Sequence, residues 1–180
     1  MEVSVEELKK VIALTNSLLS LAKVTEGIVA FNTVQVDDCL LTAIGQVQAT
    51  YLDRKFPLQF KATEADSFLI KGNAALLTTA LVNLLDNACK YSSEAVSVQL
   101  QAQDEQVQVV IADQGRGIAE TEMMHVFNPL YRGRNADGVP GYGIGLAVTQ
   151  KIIALHQGTL QLTSQGGQGT TATVALPKVL

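Results

Sequence analysis

A chain of 180 residues, 47% of them hydrophobic and with a formal net charge of −4, suits one domain with a short appendage. It can bury about 70% of its unfolded surface and needs no disulfide or metal staple. The acidic balance argues against a nucleic-acid partner, no apolar run reaches the roughly eighteen residues of a membrane span, and the N-terminus has no leader pattern.

Val5 to about Lys23 reads as a helix with two apolar stripes, one through Leu8, Ile12, Leu19 and Ala22, the other through Val11, Leu14, Leu18 and Leu21. A surface that wide is expected to pack on another helix, in this chain or a partner. Asp37 or Asp38 could cap a second helix running to about Asp53, with Leu40, Leu41, Ile44, Val47 and Tyr51 inward. "FPLQFKA" and "DSFLIKG" read as short strands. Asn73 could cap a third helix, "AALLTTALVNLLDNACKYS", apolar enough to be buried.

"AVSVQLQAQ" and "QVQVVIAD" alternate like strands around a turn at Asp104 and Glu105. A short helix from Glu120 to Val126 precedes a polar stretch from about Asn128 to Pro140, long enough to be a lid. A helix from Gly143 to His156 and two strands, "TLQLTS" and "TTATVALP", close the chain. The order predicts an α+β fold, a two-layer sandwich with helices on one face of a mixed sheet. Cys39 and Cys89 lack metal-type spacing and read as buried thiols of a cytosolic protein.

"DGVPGYGIGLAV", Asp137 to Val148, places Gly141, Gly143 and Gly145 at alternate positions. It fits neither G-x-G-x-x-G after a strand nor a P-loop, and alone it could be a hinge ahead of a helix. "DQGRGI" puts Asp113 at a strand end with Gly115 and Gly117 after it. "NLLDNACKYS" puts Asn83 and Asn87 on one helix face. Buried amides need partners, and either structural hydrogen bonds or a hydrated Mg²⁺ with phosphate oxygens would supply them.

Together these blocks resemble the ATP-binding domain of sensor histidine kinases, in the superfamily shared with gyrase, heat-shock chaperone and mismatch-repair ATPases, over about Val34 to Pro177. "NLLDNACKYS" is similar to its N box, "DQGRGI" to its G1 box, "VFNPLYRG" to its F box and "GYGIGLAVTQKIIALHQG" to its G2 box. The resemblance implies that Asp113 accepts from the adenine amino group, that Gly115, Gly117 and Ile118 run close to the base, and that Thr170 reaches it through water. It implies Asn87 as the Mg²⁺ ligand, Asn83 beside the phosphates, Lys90 as a phosphate counter-charge and Tyr91 on the adenine or ribose side. Phe127, Tyr131 and Arg132 would belong to the lid, with Arg132 on phosphate. Gly141, Gly143, Gly145 and Leu146 would wrap the phosphates, so Gly143→Ala is expected to weaken ATP binding with little loss of fold stability. Core packing is the alternative for Phe127 and Tyr131, and solvated surface charge for Arg116 and Arg134.

Gyrase-like relatives activate water with a Glu one turn before the Mg²⁺-binding Asn, where this chain has Asn83, an amide that cannot take the proton. Transfer to a histidine is therefore expected over hydrolysis. Neither His125 nor His156, the only histidines, lies in an H-box pattern. The expectation is a piece of a longer protein. Residues 1–27 would be a remnant of the second dimerisation helix, able to form a homodimer, and residues 34–180 the catalytic domain, with a lid at about 128–142. ATP and Mg²⁺ would be its ligands, and its partners the phosphoacceptor hairpin and a response-regulator receiver. It would lie in the cytoplasm, as part of a membrane-bound sensor or otherwise, without membrane or nucleic-acid contacts of its own. A serine kinase of the anti-sigma type and a nucleotide-sensing module are the alternatives.

Overall fold

A computed structural model describes residues 30–61, 67–103, 105–133, 136 and 138–179; the expected N-terminal helix lies outside the described residues. β1 (Asn32–Gln35) leads directly into α1 (Val36–Gln48). Then come β2 (Leu58–Lys61), β3 (Leu69–Gly72), α2 (Ala74–Tyr91), β4 (Ser97–Gln103) and β5 (Gln106–Ala112). α3 (Glu120–Met123), α4 (Gly145–Leu155), β6 (Thr159–Ser164) and β7 (Thr170–Pro177) complete the order.

The main sheet runs β2-β4-β5-β7-β6. β2 and β4 pair in parallel and the other neighbours antiparallel, so the sheet is mixed, as expected. Its central strands alternate strictly. Val98 pairs with Ile111 and Ile111 with Ala172; Leu100 pairs with Val109 and Val109 with Val174. Period-2 geometry sends these six to one face, and all are buried. The opposite face is polar: Gln99 donates to Gln101 along β4 at 2.8 Å, and Gln101 donates to Gln108 across to β5 at 2.7 Å.

The helices cover the apolar face. α2 is rich in Ala and Leu and has no Gly or Pro, and Asn73 caps it by accepting from the Leu76 amide at 3.0 Å. Leu77, Leu81 and Leu85 recur on the buried stripe and are fully enclosed; truncating one to Ala would cost about 2–5 kcal/mol. α1 and α4 flank α2.

The second helix differs from expectation. It starts at Val36, which is fully buried, so Asp37 and Asp38 fall in its first turn and Gln35 is the uncapped boundary residue. It ends at Gln48 rather than near Asp53. Leu41 is 50% exposed, because adjacent residues lie about 100° apart on a helix and Leu40 takes the core. α3 is shorter than expected. β1 pairs antiparallel with β3 as a small second sheet, tied to the main one through the Ile70–Lys178 bridge. Both thiols are buried, as expected, and burial pushes Cys89 up to about 11.

Candidate functional site

α2 carries one polar stripe on an otherwise apolar cylinder. Asn83, Asp86, Asn87 and Lys90 stand at i, i+3, i+4 and i+7, the spacing of one helix face. They line a cleft of about 1080 Å³. Asp113 past the end of β5, the 138–143 segment, Gly145 and Leu146 at the start of α4, and Thr170 at the start of β7 form its other walls.

Asp113 is held by backbone. Its Oδ1 accepts from the Gly115 amide at 2.8 Å and the Thr170 amide at 3.3 Å. Oδ2 has no hydrogen-bond partner among the described residues. Burial pushes this carboxyl above the usual range, and the two amides offset only part of that.

Thr170 extends the same acceptor wall. The Ser164 hydroxyl donates its one proton to Gly169 O at 2.7 Å and accepts the Ile118 amide at 2.8 Å. The Thr170 hydroxyl, 2.9 Å from Ser164 Oγ, must therefore donate to it, leaving only lone pairs on Thr170. Asp113 and Thr170 thus both offer acceptors, which suits a ligand with a donor such as an exocyclic amine.

The loop after Asp113 needs glycine. Gly117 has φ +64°, and a Cβ there would stand 2.0 Å from the Gln165 carbonyl oxygen, closer than non-bonded atoms tolerate. The turn between β6 and β7 docks in that space, with the Gly167 amide donating to Arg116 O at 2.7 Å. Arg116 lies over the Tyr91 ring, 4.9 Å from its centroid, a cation–π contact. It is no bare surface charge.

The other end of the cleft combines a cation with an uncapped helix start. α4 begins at Gly145 with no side-chain cap on its N-terminal amides, and its dipole favours negative charge there. Lys90 pairs with Asp86 at 2.5 Å, and a Cβ on Gly141 would lie 4.0 Å from its Nζ. The Asn87 side chain has no hydrogen-bond partner among the described residues and lines the cleft. Asn83 is committed differently. Its amide donates at 3.4 Å to Gly145 O and Thr149 Oγ1, tying α2 to α4.

Of the expected residues, Asn83, Asn87, Lys90, Tyr91, Asp113, Gly117, Ile118, Tyr131, Arg132, Gly141, Gly143, Gly145, Leu146 and Thr170 line one cleft. Gly115 does not; it serves through its amide on Asp113. Phe127 does not either. The turn through His125 and Asn128 brings Val126 to the cleft instead. Arg132 reaches the cleft, but its Nη2 donates to the Ala136 and Val139 carbonyls, each at 2.6 Å. Sequence reasoning missed Asp86, which its i,i+4 spacing to Lys90 could have flagged, and Ser164, which no local pattern marks.

Comparison with known proteins bears on the same region. The family described as histidine kinase-, DNA gyrase B- and HSP90-like ATPases matches residues 72–180. The signal transduction histidine-protein kinase/phosphatase MprB of Mycobacterium sp. (strain KMS) is 32% identical over 180 residues, 96% of this chain and 34% of that protein. The sensor-like histidine kinase SenX3 of Mycobacterium tuberculosis (strain H37Rv) is 37% identical over 123 residues, 66% of this chain and 30% of its own length. The chain thus spans about a third of the curated relatives it matches. Among solved structures, Acinetobacter baumannii histidine kinase AdeS superposes with a TM-score of 0.74 at 20% identity, covering 97% of this chain and 82% of that one. A mycobacterial MprB structure gives 0.70 at 24%, covering 84% and 100%. At those identities the structures speak to the α+β sandwich alone. The sequence match spans α2 with its polar stripe, Asp113, the glycine segment and the final strand, so the chain belongs to the histidine kinase-, DNA gyrase B- and HSP90-like ATPase family.

Proposed function

We propose that the chain is the catalytic domain of a sensor histidine kinase, which binds Mg-ATP in this cleft and passes the γ-phosphate to a histidine on a dimerisation hairpin, for relay to a response-regulator receiver. Residues 1–27 belong to that hairpin in this reading and residues 34–180 to the catalytic domain. ATP supply places the domain on the cytoplasmic side; among the described residues no helix is long and apolar enough to cross a membrane.

The observation that carries the reading is the acceptor pair of Asp113 and Thr170, set apart from a cationic, amide-rich end. A base with an exocyclic amino group gives its protons to Asp113, with Thr170 alongside, and Tyr91 flanks it. Polyphosphate meets Lys90, Arg132 and the α4 amides. A keto group in place of the amine would face two acceptors, so guanine is rejected.

No group of three or more His, Cys, Asp or Glu able to hold a metal occurs among the described residues. A divalent cation would rest on the Asn87 amide and the ligand's own oxygens, which suits Mg²⁺. It would neutralise charge that develops between the phosphates. Asn83 keeps α4 against α2 and cannot take a proton. Asp86, the carboxylate nearest to it on the stripe, already accepts from Tyr51 and Lys90. Water activation is therefore weak, and a histidine imidazole, itself a good nucleophile, is the better acceptor. The buried His156, 2% exposed, is not that acceptor.

Titration with Mg-ATP and Mg-GTP tests the binding step. ATP should bind in preference to GTP, and equal affinities would sink the adenine assignment. Labelled ATP, a separate hairpin fragment and a receiver protein test the transfer. Label should move to a hairpin histidine and then to an aspartate, whereas acid-stable phosphoserine or label on His125 would refute the reading.

A further inference from the structure

We propose that Tyr51 and Asp86 are positioning residues for Lys90, holding its ammonium beside the glycine segment where the nucleotide's phosphates arrive; this rests on the nucleotide reading of the cleft. Asp86 divides its carboxylate between two partners. Oδ2 pairs with Lys90 Nζ at 2.5 Å, while Oδ1 accepts from the Tyr51 hydroxyl at 2.9 Å. An i,i+4 pair with side chains 23% and 30% exposed fixes a lysine only weakly by itself, because the long side chain gives up rotamer freedom for a screened attraction. The phenol changes that balance by setting the orientation of the carboxylate on which the lysine rests.

Tyr51 is itself fixed. It follows α1 in a tight turn, with its amide donating to Val47 O at 2.9 Å and its carbonyl accepting from the Arg54 amide at 2.9 Å and from Gln48 Nε2 at 3.1 Å. Arg54 straps the turn to the last turn of α2 through Cys89 O at 3.3 Å and to the loop beyond it through Glu94 O at 2.5 Å. Burial and the neighbouring carboxylate push the Tyr51 hydroxyl upward, so it stays a donor. The chain of contacts runs from a turn outside the family-matched span, through Asp86, to a cation at the cleft.

Tyr51→Phe is the informative variant, because it leaves both charges in place and removes only the orienting bond. Calorimetric titrations of the full chain with Mg-ATP and with adenosine, which has no phosphates, read the effect. Tyr51→Phe should lower ATP affinity about three- to tenfold, the size of one charge-assisted hydrogen bond partly lost, and leave adenosine affinity unchanged. Asp86→Glu, which keeps the charge but displaces it by one methylene, should show the same ATP-specific loss and covers the case of an unstable Tyr51→Phe. In a Lys90→Gln background, Tyr51→Phe should cost nothing further. The proposal is overturned if Tyr51→Phe binds ATP like the wild type, if adenosine weakens equally, or if the loss persists without Lys90. A wild type that binds ATP while the variant matches it leaves the nucleotide reading standing; a wild type that binds no ATP removes both.

Discussion

The Leu130 amide donates to the Gly143 carbonyl at 2.9 Å, closing the base of the candidate lid. Gly143 holds φ +68°, and a Cβ there would stand 2.3 Å from the Tyr131 carbonyl oxygen. The closure therefore requires glycine, and the expectation that Gly143→Ala leaves stability almost intact gives way. The variant should lose about 1–3 kcal/mol, from a left-handed conformation plus a backbone clash, and about 2–4 °C in Tm per kcal/mol, together with ATP affinity. Gly138 is the control: its φ is +78° but a Cβ there meets nothing within 4 Å. Gly138→Ala should cost only the conformational part, about 1–2 kcal/mol. Equal melting temperatures for wild type and Gly143→Ala would show that the lid base is not held this way.

Asp113 gives a pH dependence with a defined sign. Its folded value lies above the ordinary 3.8 because burial disfavours the charged form. Between the unfolded and folded values the native state holds more protons, so stability falls as pH rises through that window and is level above it. Asp113→Asn removes the charge but keeps an oxygen for the Gly115 and Thr170 amides. The variant should be at least as stable as wild type at neutral pH and should lose that slope. Its cleft-facing group becomes a donor opposed to the adenine amine, so adenosine affinity should drop about tenfold or more. In the wild type, adenosine binding should weaken on acidification before an ordinary aspartate would titrate. Tight, pH-independent adenosine binding by Asp113→Asn would contradict the acceptor role.

Arg132 faces a competition. Its Nη2 serves the Ala136 and Val139 carbonyls, each at 2.6 Å, and a phosphate group must draw the guanidinium away from them or share it. Both carbonyl bonds are already charge-assisted on the donor side, but a phosphate adds a full opposite charge and a bidentate fit to the guanidinium fork, so the exchange favours phosphate. Arg132→Ala should therefore weaken ATP binding several-fold, on the order of 1 kcal/mol, leave adenosine binding intact, and barely move the melting temperature, because the side chain is exposed. An equal loss for ATP and adenosine would assign Arg132 to lid folding rather than to phosphate.

Much of this was legible in the sequence where the determining interactions are local. Asn73 caps α2 through an amide three residues on, and the stripe from Asn83 to Lys90 is a consequence of helical spacing. Strand alternation in β4, β5 and β7 is likewise local. What escaped depends on distant partners. β1 has four residues, mostly exposed, and exists because it pairs with β3. Asp37 and Asp38 read as caps, yet burial of Val36 sets the helix start. Tyr51 reads in the sequence only as an inward residue, although its hydroxyl meets Asp86 thirty-five positions away. The role of Ser164 appears only once β6 and β7 bring it between Ile118 and Thr170.

The fold also decides the role of His156. Its Nδ1 faces the Ile152 carbonyl at 2.7 Å and its Nε2 faces the Asn73 amide at 3.0 Å. The carbonyl requires a donor and the amide an acceptor, so the proton sits on Nδ1. Asn73 also caps α2 and donates from Nδ2 to Ala30 O at 3.2 Å, and the Phe31 ring lies 5.0 Å from the imidazole. One buried side chain thus joins the end of α4, the start of α2 and the chain entering β1. His156→Ala leaves a cavity and an unsatisfied Asn73 amide, so it should cost about 2–4 kcal/mol. His156→Gln offers an amide oxygen to Asn73 and should recover part of that. Because α4 runs from Gly145, whose uncapped amides face the phosphates in the proposed reading, to His156, the alanine variant should also weaken ATP binding more than adenosine binding. A folded His156→Ala chain with unaltered melting temperature and ATP affinity would show that this junction is dispensable.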